Sequence, residues 1–152
     1  MKFPVYLGLL HKSEQTLAAS FQQVAEGHGA EPDVYYLCQS LADQCEAHVQ
    51  ALAPIVDRYG EVDDDEPERL HADGLSETRS GPVGLLRDLQ DLYLLASLVD
   101  ITWTLVEQAA QGLRDTELID VVERCEGETR TQLRWLSTRM KQAAPQALLV
   151  AE

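Results

Sequence analysis

Four ionisable residues stand where helical seams otherwise hold hydrocarbon. Glu14 interrupts the stripe Leu7, Leu10, Leu17, Phe21, Val24, whose 3-4-3-4-3 spacing is that of a buried helix face. His48 interrupts Val34, Leu37, Leu41, Cys45, Leu52, Ile55 in the same way. Asp100 lies inside Leu92–Val106 (LYLLASLVDITWTLV), the most apolar stretch of the chain, next to a seam that includes Ala96 and Trp103. Glu126 flanks the stripe Leu118, Val122, Cys125, Thr129, Leu136, Met140, to which either Gln132 or Leu133 belongs. A charge in such a place costs several kcal/mol unless it is paired, hydrogen-bonded or metal-bound. One Glu alone can lean aside to solvent, and one His on an apolar face is commonly a satisfied core residue. Four together ask for a common explanation.

The elements that must position them are long helices. Val5 to Gly27 reads as helix 1, with Pro4 in its first turn and Gly27-His28-Gly29 ending it. Helix 2 runs from Pro32-Asp33 to Tyr59 before Gly60, bent near Pro54. Helix 3 extends from Pro82 to Gly112, and helix 4 from Thr116, a candidate N-cap, to Ala143. We expect one domain over 1–144, a linker over 60–81 containing the acidic run EVDDDEPE, and an apolar tail over 145–152 that docks on a neighbouring surface. The acidic run lacks the alternating ligands and central Gly of an EF-hand, so it reads as a solvated linker.

Composition narrows the function. The formal net charge of −14 disfavours nucleic acid and anionic membranes, which need clustered Lys and Arg. Leu92–Val106 is too short to span a bilayer and carries an acid at its centre. Cys38, Cys45 and Cys125 form no Cys-x-x-Cys pair, which argues against a disulfide framework. No signal peptide is evident, so we expect a cytoplasmic setting. Phosphate-loop, nucleophile-elbow and Rossmann patterns are also lacking, so neither a hydrolase nor a transferase is indicated.

Topology follows from the linker. About twenty residues reach roughly 65–70 Å when extended, and a helix of about 28 residues is about 42 Å long. The linker can cross the whole bundle, so we expect helix 3 to run parallel to helix 2, in an all-α, up-down-down-up four-helix bundle. Counted from one end, Glu14, His48, Asp100 and Glu126 then all lie roughly 15–18 Å above the base.

With the polar residues at one level, the chain resembles the ferritin-like carboxylate bundles, particularly their small bacterial stress-associated members. The likeness is plainest in YLGLLHKSEQTLAASFQQVAEGHGAEPDVYYLCQSLADQCEAHVQAL. That family places a Glu on helix 1, Glu-x-x-His on helix 2, an acid on helix 3 and Glu-x-x-His on helix 4. The resemblance puts Glu14, His48, Asp100 and Glu126 in ligand positions, with Trp103 close by. Two positions depart from it: Cys45 stands where the helix 2 Glu belongs, and Thr129 replaces the helix 4 His. Glu46 and Glu128 point about 100° away from the ligand direction and are not expected to substitute.

The resemblance therefore implies either one divalent metal, Zn, Fe or Mn, held by those four residues, or a decayed site in which they form a metal-free polar cluster. A working di-iron oxidase is not expected. Two functions remain open: a ferritin-like protein in metal or oxidative-stress handling, or a non-catalytic bundle acting through its surface. A homodimer is expected in either case.

Overall fold

A computed structural model describes residues 1–60 and 73–151. The acidic run and most of the 60–81 linker lie outside the described residues. Within them the chain is all helical: α1 (Phe3–Gly27), α2 (Pro32–Tyr59), α3 (Gly81–Leu113), α4 (Thr116–Pro145) and a short π-helical turn over Gln146–Val150.

Each helix is where its apolar stripe demands one. Leu7, Leu10, Leu17, Phe21 and Val24 of α1 are fully buried, as are Cys45, Leu52 and Ile55 of α2. Pro4, Pro32 and Pro82 lie in first turns, where a missing N–H leaves no bond unmade. The α4 N-cap is Asp115 rather than Thr116; its Oδ1 accepts from the Leu118 amide at 3.1 Å. A carboxylate there also meets the positive end of the helix. Cys38 is fully buried on α2, and Gln132 rather than Leu133 takes the buried α4 position.

Residue pairs fix the directions. Glu14 meets Trp103 and His28 meets Asp88, so α1 and α3 are antiparallel. Phe3 stacks edge-on with Tyr59, so α1 and α2 are antiparallel as well. Both α2 and α3 thus run opposite to α1. Across α2 and α4, Arg139 bonds Asp33 at one end and Arg58 bonds Asp115 at the other. Tyr59 also donates to Asp115 at 2.6 Å. These bonds to Tyr59, Arg58 and the Leu118 amide outweigh burial and hold the Asp115 carboxyl below its ordinary range.

Residues 73–80 are pressed against the α1–α3 edge. A Cβ on Gly27 would run into the Thr78 side chain, so this close crossing requires glycine. The tail is more closely tied to α4 than expected: it continues the helix, buries Ala147 and leaves Leu148, Leu149 and Val150 exposed.

By length and composition alone, α3 counted whole is long and apolar enough to cross a membrane, a test that the core helix of a bundle also passes. In this fold, less than half of its most apolar window is buried inside the bundle.

Candidate functional site: a hydrogen-bonded polar core

The centre of the bundle holds a chain of polar groups drawn from all four helices. Glu14 is fully buried, and its Oε1 accepts from Trp103 Nε1 at 2.9 Å and from His48 Nδ1 at 3.0 Å. The other ring nitrogen of His48, Nε2, lies 3.4 Å from Glu128 Oε1. Glu128 Oε2 accepts from Gln44 at 2.7 Å, and Gln44 Oε1 accepts from Gln132 at 2.7 Å. Gln132 reaches the Cys45 sulfur at 3.6 Å. The Trp103 and His48 rings meet edge to face, with centroids 6.2 Å apart.

With a carboxylate on each nitrogen, the imidazole is a donor on both sides, which is the protonated form. Burial pushes the His48 pKa down, but hydrogen bonds and charge from Cys125 and Glu14 outweigh it, raising it from 6.5 to about 10. A pH dependence follows. The folded value lies above the unfolded one, so this contribution to stability is whole below about pH 6.5 and lost as pH rises through about 10. Urea unfolding in that window should show stability falling by up to about 1.4 kcal/mol per pH unit. A flat profile would mean that His48 is neutral in the fold.

The four expected ligands do not converge. Glu14 and His48 meet, but Glu126 bonds Thr104 and Arg130 at the α3–α4 seam. Asp100 is half-buried there, and its Oδ1 has no partner. Burial raises the Asp100 pKa, Arg130 lowers it and Glu126 raises it, with a net rise. The physical reason is angular. At 100° per residue, Glu126 and Glu128 lie about 80° to either side of the midline between Cys125 and Thr129. Glu126 turns toward α3 and Glu128 toward α2, so Glu128, set aside in the sequence reading, is the acid that reaches His48.

Trp103 is in the cluster as a donor to Glu14. Cys45 borders it, and burial followed by the charge of Glu14 raises its pKa well above the ordinary thiol value, so it is a thiol, not a thiolate. The Thr129 hydroxyl is spent on the Cys125 carbonyl of its own helix, at 2.8 Å. Glu14 Oε2 is the one buried carboxylate oxygen in the cluster without a partner. One orphan oxygen does not make a coordination sphere, and among the described residues no group of three or more His, Cys, Asp or Glu could hold a metal ion. The residues present do not fit a carboxylate-bridged metal centre.

A second polar site escaped the sequence reading. Asp88 of α3 is fully buried; its Oδ2 lies 2.7 Å from His28 Nε2 and accepts from the Arg79 amide at 2.9 Å. Its Oδ1 accepts from the Arg79 guanidinium at 2.8 Å. The signal was available: Asp88 stands one helical turn before Leu92, on the inward side of α3.

Fold and site together define an all-α four-helix bundle with a polar core shared by its four helices. Set beside known proteins, the chain matches no family model, no curated protein and no solved structure.

Proposed function

We propose that the chain is a ferritin-like bundle, wired up-down-down-up, in which a metal-free hydrogen-bonded core stands in place of the di-metal centre. It works through its surface and not by catalysis, in a cytoplasmic setting in keeping with three free, buried cysteines. The observation that carries this reading is the engagement of both His48 nitrogens by carboxylates, at 3.0 and 3.4 Å. An imidazole used this way has no lone pair for a metal. The shared direction of α2 and α3 supports the wiring. The core then acts as a register: each helix contributes a group whose partner is on another helix.

The test is titration with Zn(II), Fe(II) and Mn(II) while following thermal unfolding. A ligand that binds only the native state raises the melting temperature by mass action. We expect no rise at concentrations well above micromolar. A rise that His48→Ala abolishes would overturn this reading in favour of a metal protein in metal or oxidative-stress handling.

A further inference from the structure

Charge is unevenly spread along the chain. Residues 129–151 hold Arg130, Arg134, Arg139 and Lys141 and no Asp or Glu, which leaves the rest of the chain at a formal charge of −18. Arg139, largely buried, is committed to Asp33 and Glu31. Arg130, Arg134 and Lys141 are spaced 4 and 7 apart, so they share one face of α4, and all three are exposed. Arg130 also meets Glu126, and Arg134 donates to the neutral hydroxyl of Thr131 at 3.3 Å. Leu148 stands seven residues beyond Lys141, on the π-helical turn. There Leu148 is 66% exposed, Leu149 84% and Val150 66%.

We propose that this part of α4 docks on the anionic surface of a lipid bilayer, with Leu148, Leu149 and Val150 entering the headgroup layer and Arg130, Arg134 and Lys141 meeting anionic headgroups. The order is that of a membrane-surface helix, in which apolar residues are bordered by Lys and Arg. The shape of the apolar part selects the occupant. Successive residues of a helical turn point roughly a quarter turn apart, so the three exposed side chains span about half the circumference. A folded partner covers one side of a helix, whereas a fluid surface can surround all three.

The net charge of −14 does not oppose this. At physiological salt a charge acts over about 8 Å, less than the width of a helix with its side chains, about 10–12 Å. An approaching surface therefore meets the sign of the nearest face, and the clustered cations that composition hides are on this one. The long connection does not begin or resume beside it. Gly60 follows Tyr59 at the Asp115 end of α4, and Gly74 lies against Thr16 and Ser20 of α1. The inference rests on the reading of a bundle that works through its surface, but no residue of the polar core enters it. A metal-induced rise in melting temperature would strike the core reading alone.

The test is co-sedimentation of the whole chain, in chelator, with vesicles of phosphatidylcholine alone or mixed equally with phosphatidylglycerol. Binding to the mixed vesicles is expected at low salt, at least about tenfold tighter than to phosphatidylcholine alone, and lost at about 0.5 M salt. Arg134→Glu and Lys141→Glu should each weaken it at least about tenfold, and Leu149→Asn by about threefold or more. All three positions are exposed, so the helical circular dichroism should be kept. Arg124→Glu makes the same charge change at an exposed position more than two turns away on α4, and should leave binding within about twofold. No binding to the mixed vesicles would overturn the proposal, as would equal binding to both kinds. Binding that Lys141→Glu or Leu149→Asn leaves unchanged, or that Arg124→Glu weakens as much as Lys141→Glu, would overturn it too. Binding to poly-L-glutamate without binding to vesicles would overturn it in favour of an acidic protein partner.

Discussion

Glu14→Ala is expected to lower the unfolding free energy by about 3–5 kcal/mol, the usual consequence of stranding one half of a buried ion pair. The carboxylate accepts from both Trp103 and His48 within a fully buried site. Without it, the indole N–H loses its acceptor, and His48 loses its fully buried carboxylate, keeping Cys125 and the half-buried Glu128. Denaturant unfolding at neutral pH measures the change. A loss below about 1 kcal/mol, the range of an exposed pair, would mean that the cluster contributes no more than surface ion pairs do. Glu14→Gln separates charge from shape. It retains an oxygen for Trp103 but removes the charge that helps keep His48 protonated. The alkaline fall in stability should then move down toward the ordinary histidine value.

The second large effect is expected at Asp88→Ala, again about 3–5 kcal/mol. That carboxylate joins His28 at the end of α1 to Arg79, just before α3. Its removal leaves the Arg79 amide unpaired and frees the guanidinium, which retains only Asp91. The loss should also be local. Residues 73–80 lie on the α1–α3 edge, so trypsin should cut after Arg79 sooner in the variant than in the parent, with the products identified by mass spectrometry. Unchanged cleavage together with a stability loss below about 1 kcal/mol would mean that Asp88 does not fasten this segment.

Helix existence and most of the core were legible because the apolar periodicity is long and regular. Leu7 to Val24 and Val34 to Ile55 hold one period for five or six turns, and no other structure buries such a pattern. The pairing of Glu14 with His48 was legible for a related reason: each breaks a seam at the same height. What failed was azimuth. Height along a helix is known to 1.5 Å per residue, but two acids two residues apart on α4 face opposite seams, and nothing local says which seam meets His48. Glu126 was chosen over Glu128 although both stand at equal angles from the stripe. Asp88 was missed for a different reason: its partners, His28 and Arg79, lie outside the seams, in a helix end and a connection, where periodicity carries no information.

The two tight connections, His28–Glu31 and Arg114–Asp115, have a kinetic consequence. Each joins an antiparallel helix pair, α1 with α2 and α3 with α4, so most of the packing within a pair is between residues close in sequence. Closing such short loops costs little chain entropy, and folds rich in local contacts form fast. The polar core is different in kind. Its bonds from Trp103 to Glu14, from His48 to Glu128 and from Gln44 to Gln132 all run between the pairs. Assembly is therefore expected to divide into two hairpins, the first already holding the His48–Glu14 bond, and a docking step that has to align the remaining donors with acceptors. Loss of those bonds accelerates unfolding more than it slows folding.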